Sequence, residues 1–221
     1  MLKTSTLKFL KDLKKNNNKT WFEKNKLVYL DARDDAEQFV AQLIEGLGKA
    51  DPDVKSLQAK DCTYRIYRDI RFSSDKTPYK VHMGAFLNKG GKKAPTAGYY
   101  FHIQPGGKSM AGGGLWMPMP PELNKVRQEI DYNFSEWAKI TNDRKFKKHF
   151  PEGLDREEIL SRPPKGYDPE NPAIDFLKLK SFVVTRPLTD ELLASRGLLK
   201  ELLTIFGSMK PFVHFLNRSL E

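Results

Sequence analysis

The stretch RIYRDIRFSSDKTPYK, Arg65 to Lys80, sets five cations against two acids in sixteen residues, among tyrosines, isoleucines and a phenylalanine. Converging arginines and lysines are what phosphate and carboxylate recognition uses: arginine gives a two-pronged donor, lysine a point charge. Read as a strand, TYRIYRDIRF puts Tyr64, Ile66, Arg68, Ile70 and Phe72 on one face. Arg68 is the one charge on that face and needs a partner, because a buried charge must be paired. That partner is either a carboxylate of the protein or an anionic ligand in a wet cavity. Arg68, Arg71, Lys76 and Lys80 are therefore the candidate anion-binding residues. Asp69, between two arginines, is either a general base or an ion-pair partner.

A second set lies downstream. AGYYFHIQ and SMAGGGLW read as strands joined through PGGK, where Gly106-Gly107 suits a two-residue turn with positive φ. That turn sets His102 opposite Ala111 and Tyr100 opposite Gly113. Three consecutive glycines are poor strand formers. Their use is to let aromatic rings cover bare backbone, or to let a ligand approach it. Tyr100, His102, Gly112, Gly113, Gly114 and Trp116 are candidate pocket walls, and Lys165 and Tyr167 of the KGYD loop are candidates to close the pocket. His82 and His102 are strand histidines, read as structural or, for His82, as a possible acid or base beside Asp69. No HExxH metal spacing, P-loop, GxGxxG or GxSxG elbow is present. The sequence thus assigns no metal and no cofactor.

The elements that must position these residues follow from periodicity. STLKFLKDLKK is helical, with Thr4 or Ser5 as its cap, and Asn18 caps the next helix. The apolar stripe from Trp21 to Leu47 loses phase near Asp31 to Asp35, which predicts a bend or break there, and Gly48 ends the helix. From Cys62 the period changes to alternation: TYRIYRDIRF, VHMGAFL and the two strands above predict four neighbouring strands. MPPELNKVRQEIDYNFSEWAKI returns to helix. PAIDFLKLK is a short helix and SFVVTRP a further strand. Thr189 caps a helix that Gly207 ends, before a last helix in MKPFVHFLNRSL. The predicted fold is α+β, a mostly antiparallel sheet of about four to six strands packed by N- and C-terminal helices. One domain spans 1–221: helical 1–50, sheet core 62–117, helices and a further strand in 118–221.

Composition bounds the partners. Net charge is +10. The excess sits in three blocks: residues 1–30, residues 62–93 and RKFKKHF at 144–150, with an acidic stretch over 31–61. Basic blocks raise two partner classes, a small anionic molecule and nucleic acid. A third reading makes the Arg-rich motif an internal ion-pair network of a structural or interaction protein. The single cysteine, Cys62, rules out an internal disulfide and a multi-cysteine metal site. No secretory leader or membrane-length apolar run is present, which points to the cytoplasm. Nothing in the sequence specifies an oligomeric state or decides whether the protein is an enzyme.

WFEKNKLVY after an Asn-rich turn, then RIYRDIRFSSDKTPYK, GYYFHIQPG with GGGLWMP, and PPKGYDPENPAIDFLKLKSF occur in that order. This arrangement resembles the domain-of-unknown-function 2461 family of bacterial and fungal proteins, also called the conserved hypothetical 02453 family, over nearly the whole chain. Members carry a proline near the position of ARDDAEQF; its absence here bears on the helix bend. The resemblance implies an intracellular α+β unit and supplies no catalytic residues.

Overall fold

The computed structural model describes residues 1–221. Four strands, β1 (Met83–Asn88), β2 (Gly98–Ile103), β3 (Ser109–Leu115) and β4 (Phe182–Leu188), form one antiparallel sheet in the order β1-β2-β3-β4. The expected α+β architecture is present. Around the sheet lie α1 (Thr4–Lys15), α2 (Lys19–Lys24), α3 (Lys26–Gly48), α4 (Ala59–Cys62), α5 (Pro120–Tyr132), α6 (Phe134–Thr141), α7 (Arg144–His149), α8 (Ile174–Leu177), α9 (Asp190–Leu193) and α10 (Leu198–Arg218).

The inner face of the sheet carries Ala85, Leu87, Tyr99, Phe101, Ala111 and Val184, all buried. It packs against α3 through Phe39 on Phe101 and against α10 through Phe206 on Tyr99. Forty-six buried apolar residues form one connected cluster. The outer face is half open and carries Gly84, Phe86, Tyr100, His102 and Met110.

The helices start and stop for reasons the sequence shows only in part. Asn18 caps α2 as expected, accepting the Trp21 N–H at 2.9 Å. Neither Thr4 nor Ser5 caps α1. Asp35 of α3 takes that role across 29 or more residues, accepting the Lys3 N–H (2.9 Å) and the Thr6 hydroxyl (2.6 Å). The same bonds tie down Asp35, which is buried, and α3 runs unbroken from Lys26 to Gly48, so no break falls at Asp31 to Asp35. The break falls at Asn25, which closes α2 and opens α3. Gly207 does not end a helix either. Ile205, Phe206, Met209, Phe212 and Val213 keep one buried face running through it, and that burial outweighs the roughly 1 kcal/mol that an interior glycine costs. The expected break instead precedes α10, at Ala194 to Gly197.

The hairpin register differs by one residue from the expected pairing. His102 faces Met110 and Tyr100 faces Gly112. Lys108 N–H bonds Gln104 O (3.3 Å), so three residues rather than two make the turn. Gly106 and Gly107 both have positive φ, and their N–H groups converge on the Asp190 carboxylate at 2.8–3.1 Å. The anion held by this glycine pair is the protein's own.

Candidate functional site

TYRIYRDIRF is not a strand of the sheet. Thr63 makes one bridge to Ala85, and the Tyr64 N–H bonds Gly84 O at 2.9 Å. The chain then leaves β1 as an arm that folds back on itself, with Arg68 N–H to Pro78 O (2.9 Å) and Lys80 N–H to Ile66 O (2.7 Å). Side chains compete with the ladder here. Asp69 accepts the Arg71 N–H and Asp75 the Thr77 N–H, each two residues ahead. Asn17 clamps the base of the arm by bonding both backbone groups of Tyr79, whose ring stacks on Phe22 at 3.9 Å. Phe72 at the tip is 97% exposed.

The arm divides the predicted cations. Arg68 pairs with Asp75 and bonds Thr77 and Ser73. Arg71 holds Asp69 at 2.7 Å in the open, and that bond lowers the Asp69 pKa. Lys76 donates to Ile70 O at 3.0 Å. These three are occupied on the arm itself, and Asp69 is an exposed ion-pair partner at its tip. Lys80, at the base, sits elsewhere. Its ammonium lies 5.4 Å from the Tyr64 ring centroid, and the Lys92 ammonium lies 5.9 Å from the same ring. Both distances suit cation–π attraction. Burial and then Arg65 push the Lys80 pKa down. Lys60, Arg65, Lys80 and Lys92 form no ion pair with any carboxylate, although Lys92, like Lys76, donates to a backbone carbonyl, Thr63 O at 2.6 Å.

Beneath Tyr64 lies a cavity of about 320 Å³ between α3 and the start of the arm. Its floor is apolar, with Ala36, Val40, Ala85, Phe101 and Ile103. Its rim carries Arg33, Lys60, Arg65 and Lys92 against one acid, Glu37. Arg33 is taken by Asp34 and Glu37.

On the outer face of the sheet, opposite the Ala85 and Phe101 floor of the cavity, His82 and His102 lie with ring centroids 5.1 Å apart. His102 Nε2 is 2.7 Å from Lys108 O, a carbonyl that can only accept, so Nε2 carries the proton. His102 Nδ1 then accepts the Tyr100 hydroxyl at 3.2 Å. Burial raises Tyr100 to about 12 and lowers His102. Burial, His102 and Lys80 together push His82 down to about 4.

Gly112 faces Tyr100 on the outer side, but the rest of the glycine run is tied to the core. A Cβ at Gly113 would meet Met209 of α10, and one at Gly114 would meet Phe212. The ring that covers bare backbone is Tyr100 over Gly84, where a Cβ would lie 3.1 Å from the hydroxyl. Trp116 stands exposed beyond the end of β3. Tyr167 neighbours Asp131 and Arg127 of α5, and Lys165 belongs to the same loop. The structure thus brings Lys80, His82, Tyr100 and His102 together and places Trp116, Lys165 and Tyr167 elsewhere.

A family model described as "Conserved hypothetical protein (DUF2461)" matches residues 5–215. The chain belongs to the DUF2461 family. No curated protein and no solved structure matches it. For this DUF2461 protein the cavity residues Lys60, Tyr64, Arg65 and Lys92 are additions to the sequence-derived set. Lys92 lies in the NKGGKKAP turn, where no periodicity marks it; the cation density of 62–93 was its only signal.

The histidine pair gives the DUF2461 chain an acid sensitivity. The folded-state pKa of His82, about 4, lies below the ordinary value of 6.5. The unfolded chain therefore takes the proton first, and stability falls as pH drops from about 6.5 towards 4. Urea midpoints measured across that window should decline in wild type and decline less in His82→Gln. Equal slopes for the two proteins would remove His82 as the cause.

Proposed function

We propose that this protein binds a small anionic molecule, phosphorylated or carboxylated, in the cavity beneath Tyr64. The observation that carries this reading is the set Lys60, Arg65, Lys80 and Lys92, four cations without a carboxylate partner, gathered at and beside one cavity with an apolar floor. Mutually repelling charges held together cost free energy that a bound anion returns. The apolar floor favours a ligand with a carbon body as well as a charged head.

No helix is long and apolar enough to cross a membrane. A cytoplasmic setting, where phosphorylated and carboxylated metabolites abound, fits this reading, as does the one buried thiol, Cys62.

A thermal-shift screen tests it, with phosphate, sulfate, nucleotides, sugar phosphates, dicarboxylates and short oligonucleotides at low and high salt. A ligand at a hundred times its Kd stabilises the folded state by about 2.7 kcal/mol. The expected result is a small anion that stabilises wild type and Arg71→Ala alike, but neither Arg65→Glu nor Lys92→Ala. A shift that Arg71→Ala also abolishes would move the site to the arm. Stabilisation by oligonucleotides alone, collapsing with salt, would replace the reading with a nucleic-acid surface. Silence across the panel would sink it for the classes tested.

A further inference from the structure

A second group of residues lies at the C-terminal end of α10, apart from this cavity. Asp51 is 1% exposed. Its Oδ2 accepts the Tyr99 hydroxyl, and its Oδ1 accepts the Asp53 N–H at 3.2 Å and lies 3.1 Å from His214 Nε2. No lysine or arginine pairs with it; His214 is its one ion-pair partner. A carboxylate removed from water this completely calls for a cation, and proteins supply either a basic side chain or a metal ion. Asp53 and His214 add their ligand atoms so that one from each of the three residues lies within 4.8 Å of the others. A cleft of about 650 Å³ opens on Asp53 and His214. It is lined by Asp53, Glu136, Asp143 and Glu221 against Lys139 and Arg218; Arg218 pairs with Glu136 and Glu221 with Lys89, which leaves Asp53 and Asp143 facing Lys139. In a chain of net charge +10 this is a locally negative hollow that draws cations.

We propose that Asp51, Asp53 and His214 form a binding site for a divalent transition-metal ion, zinc foremost, open to this cleft. One imidazole and two carboxylates suit zinc and its neighbours, whereas magnesium and calcium take oxygen ligands only. A tetrahedral centre with bonds of about 2.0–2.2 Å sets its ligand atoms about 3.3 Å apart. The Asp51–His214 edge already has that span, and Asp53, at the mouth of the cleft, closes the set by rotating its carboxylate. Tyr99 holds the far oxygen of Asp51, the outer-sphere bond that orients a ligating carboxylate. Three protein ligands leave a fourth position facing the cleft.

The full-length chain, freed of metal with a chelator, is titrated with zinc chloride by calorimetry and with cobalt(II) in the visible range. The expected result is one zinc per chain and a tetrahedral nitrogen–oxygen cobalt spectrum. His214→Ala and Asp53→Asn should lose it. Tyr99→Phe should weaken it about 10- to 100-fold. The His82–His102 pair is the rival site, so His102→Ala should bind zinc as wild type does. Near-ultraviolet circular dichroism checks that each variant is folded. Absence of saturable zinc binding in the wild type would overturn the proposal. So would a folded His214→Ala that binds like wild type, or a thiolate band from Cys62.

Discussion

Gly114→Ala is expected to destabilise the protein by more than about 4 kcal/mol, or to leave it insoluble. Gly114 pairs with Gly98 on one side and Val183 on the other, at φ +116°. A Cβ there would lie 2.0 Å from the Phe182 carbonyl oxygen and 2.9 Å from the Phe212 ring. Both obstacles are fixed, one by the β4 backbone and the other by the core under α10. Relief would require separating β3 from β4. The backbone conformation adds its own penalty for any L side chain. Gly107→Ala is the matched comparison. Gly107 also has positive φ, but nothing lies within 4 Å of its Cβ position, so the cost there should be the conformational one alone, about 1 kcal/mol. Urea unfolding of the two variants separates crowding from conformation. Equal losses would mean that the close strand approach is not what the glycine run secures.

Trp137→Ala is expected to cost about 3–5 kcal/mol. Trp137 is fully buried in α6 and meets Phe176, Phe182, Phe212 and Phe215 at centroid distances of 5.1–6.3 Å. Removing it empties the middle of a five-ring cluster that joins α6, α8, β4 and α10. The ring is not ideal for its place, since the buried indole N–H has no hydrogen-bond partner. An unsatisfied buried donor costs about 1–3 kcal/mol. Trp137→Phe removes that donor along with part of the volume and should cost less than half of what alanine does. Denaturation midpoints of the two variants decide this. A phenylalanine variant as weak as the alanine one would show that the indole donor is not a burden.

The sheet was legible where side chains alternate without interruption. β1, β2, β3 and β4 each appear within a residue or two of the expected segments, and Trp137, Ile130 and Val126 fall on the buried face anticipated for their helices. The sequence misled where polar side chains bond nearby backbone. TYRIYRDIRF alternates as a strand should, but Asp69, Ser73, Asp75 and Thr77 give its arginines and amides closer partners than β1 does. The candidate site was legible in its cation density and not in its geometry. Lys80, His82, Tyr100 and His102 were anticipated and do meet. Arg68, Arg71 and Lys76 meet groups of their own arm instead. The Asp51–His214 contact joins residues 163 apart, and no local pattern in either segment announces the other.

The order of elements along the chain has a consequence for synthesis. β1, β2 and β3 follow one another and can pair as soon as they emerge. The helix that covers their inner face, α10, comes after every other element, and Asn217 near its end bonds both backbone groups of Ala97, 120 residues earlier. A ribosome adding about 5–20 residues per second needs roughly 5–20 s to pass from the end of β3 to the end of α10. For that interval the apolar side of a three-stranded sheet has no cover on its α10 side.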